Sequence, residues 1–421
     1  MRILIYGLNY APEPVGIGKY SGELGSWLAS RGHQVRVIAA PPYFPEWKAR
    51  DNRYRRETKD GVQIWRCPLW VPRKPNGLTR LVHLASFAMS SLVPLFMQKR
   101  WQPNLILCVA PALFCAPAAL WLGGLCGQRT VTWLHIQDFE LDAAFQLGLL
   151  KGDGIRGLAE TWERRTLQCF DRVSSISEAM LNHAVGKGVA REKAVLLPNW
   201  VDIHAIDPQS RTKRSDNSFC RELGIEPEHL VLLYSGSMNK KQGLEMLVEV
   251  IQSLSNNKQL VWILAGEGPG QASLAESTRG LPQVRIMPLQ PIERLNDWLN
   301  LADIHLLPQK AAAADLVLPS KLLGILASGR PVVAGSPSGS ALGAMAEQAG
   351  CRAEPGDPKG FAQAVNLLAT NEELRLQLGR QARQMAEERF DMQRVLQRFE
   401  LDAAGAVGQK VEEVSGGTEL D

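Results

Sequence analysis

No charge of one sign dominates this sequence: 47 Lys and Arg stand against 43 Asp and Glu, a formal net charge of +4. Nucleic acid is therefore not expected as the main partner, and only a local basic face stays open. A cysteine framework is missing too. The seven cysteines, Cys67, Cys108, Cys115, Cys126, Cys169, Cys220 and Cys351, are odd in number, hold no Cys-x-x-Cys spacing and sit mostly in apolar runs. Neither disulfides nor a zinc site is expected. No cleavage pattern follows the opening run Met1 to Gly7, so export is not expected and the cytoplasm is the expected compartment. Nor is there an uninterrupted apolar run of membrane-spanning length. The nearest, Leu78 to Trp101, is broken by His83, Ser86, Ser90, Ser91 and Pro94.

Apolar residues are plentiful enough for full-sized cores. They make up 45% of 421 residues, against 21% charged, and a single core stops growing near ~250 to 300 residues, so two domains are expected. The run Ile3 to Tyr6, a stretch with Leu24, Trp27 and Leu28 at helical spacing, Gly32 as a left-handed cap and the run Val35 to Ala39 predict a βαβ unit. Further strands are predicted at Val62 to Arg66, Leu105 to Val109, Thr130 to Leu134, Val173 to Ile176 and Val195 to Leu197. Their spacing suits crossover helices and hence a parallel sheet. A polar stretch, Asp207 to Asn217, reads as a linker. The pattern restarts at Leu230 to Tyr234, with later strands at Leu260 to Ala265, Val284 to Met287, Ile304 to Leu307 and Pro331 to Ala334. The expected fold class is α/β, two Rossmann-like domains facing across a cleft, over 1–206 and 207–388, followed by a closing helix over 389–403 and a frayed tail over 404–421.

In open parallel sheets, ligands bind beyond the carboxyl ends of the strands, where helix N-termini point N–H groups at anions. The loop after the first strand places Gly16 and Gly18 at a helix start, where a missing Cβ lets backbone approach phosphate; the same glycines also suit a plain turn. The spacing is not G-x-G-x-x-G, and Ala39-Ala40-Pro41-Pro42 replaces an acidic residue after the second strand, which argues against an NAD enzyme. In the second half, Ser235-Gly236-Ser237 leads to Lys240, Lys241 and Gly243, a candidate diphosphate clamp or a solvated lysine pair. Gly266-Glu267-Gly268-Pro269-Gly270 and Pro319-Ser320-Lys321-Leu322 lie at the same edge, the latter also readable as an ordinary helix start with Ser320 near the cap. In the first half, His135 and Asp138 follow the strand Thr130 to Leu134. No metal-ligand cluster is visible.

Several of these segments recur together in a known family. Asn9-Tyr10-Ala11-Pro12-Glu13 with Gly16 to Gly18, Trp133 to Asp138, Ile176-Ser177-Glu178, Leu197 to Asp202, Gly266-Glu267-Gly268 and Ala327 to Val333 fall in one order. Along nearly its full length the chain resembles the family 4 glycosyltransferases of GT-B fold, and within them the enzymes of colanic-acid-type exopolysaccharide assembly. The resemblance implies a nucleotide-sugar donor bound mainly by the second domain, an acceptor bound by the first, retention of anomeric configuration and no metal. It implies fucose from GDP-fucose as the donor. Residue by residue, it implies that Gly16 and Gly18 approach the donor diphosphate, and that Lys240 or Lys241 with Lys321 offset its charge. Ser320 and the N–H of Leu322 would hold the distal phosphate, Ser237 and Glu267 would lie near the nucleotide, and His135 with Asp138 would sit at the reaction centre.

One hallmark departs from the family. Its two glutamates, with seven residues between them, fall here on Leu316 and Gly324, with Asp315 next door. In the family the first touches the sugar and the second the ribose, so Asp315 is the candidate replacement. The exopolysaccharide branch also implies a polyprenyl-diphosphate-linked acceptor, which would bring the first domain to the inner membrane surface. Leu78 to Trp101, with Arg73 and Lys74 before it, Arg80 at its start and Lys99 and Arg100 near its end, is the expected contact; an ordinary amphipathic crossover helix has the same pattern. The competing functions are a non-catalytic sugar-nucleotide-binding protein of an assembly complex and a sugar-nucleotide epimerase.

Overall fold

A computed structural model describes residues 1–13, 16–43, 46–49, 51–73, 77–111, 113–127, 130–139, 153–208, 216–239, 242–310 and 319–408. The chain divides into two units, one of Met1–Pro198 with the chain from Val395 onward, the other of Asn199–Arg394. The sequence places the division at 206/207. The structure has it earlier because the stretch after Pro198 is tied to the second unit: Val201 N–H donates to Phe390 O at 2.8 Å, and Arg383 donates to the carbonyls of Ile203 and Ile206.

Among the described residues the first unit holds eight strands: β1 (Arg2–Gly7), β2 (Gln34–Ala39), β3 (Arg55–Lys59), β4 (Val62–Arg66), β5 (Leu105–Ala110), β6 (Val131–Ile136), β7 (Arg172–Ser175) and β8 (Ala194–Leu196). Their order is β3-β4-β2-β1-β5-β6-β7-β8. The middle strand β1 pairs in parallel with β2, Ile3 opposite Val35, and with β5, Ile3 opposite Leu105. It reads as an unbroken apolar run because helices cover both faces. The expected all-parallel sheet needs one correction: β3 pairs antiparallel to β4. Its residues, Arg55-Arg56-Glu57-Thr58-Lys59, carry no apolar signal. They form a charged edge strand, which resists further pairing.

Helix α1 (Gly16–Ser30) ends at Gly32, whose φ of 85° confirms the left-handed cap; His33 N–H returns to Leu28 O at 3.1 Å. Strand order and the right-handed crossover rule put α1 on one face of the sheet. The same rule puts α2 (Gly77–Met97), α3 (Ala116–Cys126) and α4 (Asp153–Gln168) on the other. Leu84 and Phe87 of α2 and Leu122 of α3 share one core with Leu4, Ile106 and Leu134. On the α1 side, Phe399 of the C-terminal helix Met392–Val407 packs edge-on against Trp133 at 5.2 Å. Glu400, buried on that helix, accepts from Arg31 Nε at 3.3 Å and pairs with His33 Nε2 at 2.7 Å. This helix reaches Val407, past the point where apolar periodicity fades in the sequence, because the first unit gives it a surface to cover.

The second unit holds β9 (Leu230–Ser235), β10 (Leu260–Ala265), β11 (Val284–Met287), β12 (Ile304–Leu307), β13 (Val332–Gly335) and β14 (Gly350–Ala353) in the order β11-β10-β9-β12-β13-β14. All pairs are parallel. Only β14, Gly-Cys-Arg-Ala, escapes the sequence pattern. A Cβ at Gly350 would stand 1.8 Å from Val332 O, so close backbone approach, not hydrophobicity, makes it a strand. Of the cysteines, Cys67, Cys108, Cys115 and Cys220 are buried.

Candidate functional site

Each sheet presents candidate loops at its own carboxyl edge. In the first, the loop Asn9–Glu13 folds back on α1. Glu13 is buried and accepts from Asn9 Nδ2 at 2.9 Å and Tyr43 N–H at 3.3 Å. Arg66, fully buried at the end of β4, donates to Ala11 O, to Ala40 O at 3.0 Å and to Glu57 at 2.8 Å. Every third or fourth residue along the adjoining side of α1 is a glycine because the loop lies there. A Cβ at Gly18 would come 2.5 Å from Glu13 Oε2 and 2.6 Å from Glu13 Cβ, at Gly22 2.5 Å from Ala11 Cβ, and at Gly25 2.3 Å from the Tyr10 hydroxyl. Gly16 is different: it is exposed, its φ is +63°, and a Cβ there would meet nothing within 4 Å. Of the two candidate glycines, Gly18 is needed for packing and Gly16 for its left-handed backbone.

His135 lies inside β6, one residue from its end, and not beyond the strand as the sequence pattern suggests. The ring is buried. Nδ1 is 2.9 Å from Ser174 Oγ, which also accepts from Trp133 Nε1 at 2.8 Å, and Nε2 is 3.0 Å from Gln137 Nε2. Burial pushes the imidazole pKa down to about 3. The consistent set has Gln137 donating to Nε2 and Nδ1–H donating to Ser174. His135 is a neutral side chain, suited to orienting a polar group rather than taking a proton. Asp138 follows, half-buried, two residues past the strand.

In the second unit two loops are laced backbone to backbone. Gly236 N–H donates to Ala265 O at 3.0 Å, Met238 N–H to Glu267 O at 2.8 Å, and Gly270 N–H to Met238 O at 2.8 Å. A Cβ at Gly266 would stand 1.9 Å from Gly236 O, and one at Gly268 2.8 Å from Met238 O. The glycines of Gly266-Glu267-Gly268-Pro269-Gly270 are therefore accounted for by this contact. It leaves the Glu267 and Ser237 side chains exposed at the edge. Beside the lacing a cavity of about 450 Å³ opens, lined by Met238, Asn239, Leu244, Val248, Pro269 and Ser273.

Lys321 is the most unusual group of this edge. It begins the helix Lys321–Ala327, whose Leu322, Leu323, Ile325 and Leu326 are buried in the second unit's core. Its Nζ sits 4.2 Å above the Tyr234 ring and donates to Gln242 Oε1 at 3.2 Å. No carboxylate pairs with it among the described residues, and burial draws its pKa down from 10.5 to about 7. The Tyr234 hydroxyl donates to Ser237 O at 2.6 Å, so one aromatic side chain fixes both the lysine and the Ser237 loop. A cation without a counter-ion, held by an aromatic ring and an amide, is a place for an anion.

The other expected residues divide. Leu322 N–H already donates to Pro319 O at 2.9 Å, and its side chain is fully buried, so the structure assigns that N–H to the helix start. Ser320 occupies the cap position with helical backbone and makes no capping bond. Gly324, half-buried, is three residues from Lys321 on the same side of the helix, and a Cβ there would meet only a Leu299 methyl at 3.2 Å. Lys240, Lys241, Asp315 and Leu316 lie outside the described residues. Among the described residues no group of three His, Cys, Asp or Glu is placed to hold a metal ion. Glu13, Arg66, Tyr234 and Gln242 carry much of the local order; the sequence pattern has Glu13 and Gln242 within candidate loops and Arg66 and Tyr234 at predicted strand ends, and singles out none of them.

Comparison with known proteins defines the class. Residues 15–200 match the glycosyl transferase 4-like domain and residues 229–371 match glycosyl transferases group 1, so the chain belongs to this family of glycosyltransferases and is an enzyme of that class. Among individual relatives, it is 42% identical over 430 aligned positions to the Escherichia coli (strain K12) protein assigned to colanic acid biosynthesis as the glycosyl transferase WcaI. That match covers 96% of this chain and 100% of the relative. Solved structures that share the GT-B fold include two of particular use. Sucrose-phosphate synthase from Thermosynechococcus elongatus superposes with a TM-score of 0.71 at 15% identity, over 97% of this chain and 100% of that one. Anabaena HepE, solved in complex with UDP-glucose, gives 0.66 at 15% identity, over 96% and 100%.

Proposed function

We propose that the protein is a retaining glycosyltransferase of colanic-acid-type exopolysaccharide synthesis, moving a sugar from a nucleotide-sugar donor to a polyprenyl-diphosphate-linked acceptor at the inner face of the cytoplasmic membrane. The observation that carries this reading is Lys321, an ammonium without a carboxylate partner among the described residues, at the edge where the donor diphosphate would leave. The relative named for colanic acid and the UDP-glucose complex of HepE support it. In the proposed reaction the bond from the anomeric carbon to the diphosphate oxygen breaks, the bond to the acceptor oxygen forms, and the acceptor proton passes to the departing diphosphate. Lys321, with Lys240 or Lys241, offsets the charge that develops there, and no metal is required. His135, neutral and buried, exchanges its contact with Gln137 for a sugar hydroxyl. Fucose from GDP-fucose is the donor to test first.

A thermal-shift screen against a panel of nucleotide sugars, followed by a transfer assay with a lipid-linked acceptor, tests the proposal. A donor that raises the melting temperature and is consumed only with acceptor supports it. Binding without transfer favours the second reading, a nucleotide-sugar-binding protein without turnover, for which Leu316 and Gly324 at the family's glutamate positions are the specific observation. Donor conversion without any acceptor would favour an epimerase.

A further inference from the structure

From Gly61 to Gln137 the chain carries seven Lys and Arg and not one Asp or Glu, while elsewhere 40 basic residues face 43 acidic ones. This basic span contains all of α2 and α3. Along α2 the side chains of Val82, Met89, Val93 and Met97 are 48%, 69%, 70% and 59% exposed. Steps of seven, four and four residues put them on one helical stripe, which at ~1.5 Å per residue runs for roughly 22 Å. The stripe does not stop at α2. Phe96 meets Trp121 of α3 edge-on at 4.6 Å, and Trp121 and Leu125, four residues apart, are 63% and 39% exposed. Soluble chains seldom leave so many large apolar groups contiguous without a partner. Around them stand Arg73, Arg80, Lys99 and Arg100, all exposed.

We propose that the outer surface of α2 and α3 together is a docking face for an anionic lipid bilayer, with Trp121 as an interfacial anchor. Thr79 to Trp101 is long and apolar enough to cross a membrane by length and composition, but its inner side, Leu84, Phe87 and Leu95, belongs to the first core, so α2 lies along the surface. The charge selects the occupant. A second copy of the chain would bring the same basic rim against itself in a two-fold contact, whereas anionic headgroups complement it and the acyl boundary accepts the stripe. This deepens the reading of a lipid-linked acceptor. Its test uses neither donor nor acceptor, so a failure here leaves the transfer assay standing.

The full chain is sedimented with vesicles of phosphatidylethanolamine and phosphatidylglycerol, and with vesicles of phosphatidylcholine alone. Binding is expected to the first, weaker with the second, and partly reversed by salt. Lys99→Glu with Arg100→Glu should weaken binding about tenfold or more and remove the salt dependence. Met89→Ser with Val93→Ser, and separately Trp121→Ser, should weaken it at both low and high salt, with unchanged melting temperature as the folding control. Leu376→Ser, an equally exposed change in the second unit, should have no effect. No binding of the unaltered chain, or binding untouched by all three variants, overturns the proposal. So does a concentration-dependent dimer that Met89→Ser with Val93→Ser dissociates.

Discussion

Replacing Lys321 by methionine should make the protein more stable and a poorer binder of its donor. A lysine pKa lowered from 10.5 to about 7 means that the folded chain holds fewer protons than the unfolded chain between those values. Stability contributed by this group is therefore lowest below pH 7 and rises as pH climbs toward 10.5. At pH 7 the shift corresponds to a destabilisation of ~4 kcal/mol, an upper bound because the side chain is half-buried rather than sealed. The contacts with the Tyr234 ring and Gln242 Oε1 give back about 1 to 2 kcal/mol. A net gain of about 1 to 3 kcal/mol is expected for Lys321→Met without donor, seen as a higher denaturant midpoint and shrinking as pH is raised from 7 to 10. Nucleotide-sugar affinity should fall by about tenfold to a hundredfold, the worth of a charge-assisted hydrogen bond to an anion. Calorimetric titration at pH 7 measures the second quantity. A variant that loses stability while binding donor normally would show Lys321 to be a structural lysine and would remove the strongest support for the diphosphate site.

Gly18→Ala forces a Cβ onto buried Glu13 and should cost about 1 to 3 kcal/mol in thermal unfolding, whereas Gly16→Ala, with open space but φ of +63°, should cost only about 1 kcal/mol. His135→Ala should cut turnover by about tenfold or more while calorimetric donor affinity stays within about threefold; unchanged turnover would end its role. Because burial holds His135 neutral down to about pH 3, the rate profile of the unaltered enzyme should show no inflection from this group between pH 5 and 8. Asp315→Ala should lower turnover far more than Leu316→Ala, and equal small effects in a transfer assay would take Asp315 out of the site.

Much of the fold was legible because its signal is apolar. The buried strands β1, β5, β9 and β10 are continuous hydrophobic runs, and they stand within a residue or so of where the pattern predicts them. What escaped was made by other forces. β3 is held by ladder hydrogen bonds and surface charge, and β14 by the absence of a side chain at Gly350. The division at Pro198 and the return of the C-terminal helix to the first unit depend on tertiary partners, Arg383 in one case and Arg31, His33 and Trp133 in the other, that no local window contains. The candidate site was legible as a set of loops, since glycine, lysine and strand ends are local features. Which residue of each loop has a free charge was not, because the setting of Lys321 depends on Tyr234, 87 positions away.

That distinction changes what the glycine-rich loops mean. A turn such as Gly16-Ile17-Gly18 or Gly266-Glu267-Gly268 suggests bare backbone offered to phosphate. In this protein Gly18 is required by Glu13, Gly266 by the carbonyl of Gly236, and Gly268 by that of Met238, while the N–H groups of Gly236, Met238, Gly270 and Leu322 are already bound within the unit. Loops laced in this way are rigid, and rigidity is what an electrostatic site requires: a charge held still before the reaction needs no reorganisation during it. In the proposed site Gly266 and Gly268 would therefore serve the diphosphate at one remove, by letting their loop close on the Ser237 loop, which Tyr234 ties to Lys321. If the lacing is the purpose of Gly266, then Gly266→Ala should impair donor binding and stability together, in contrast to Lys321→Met, which should separate them.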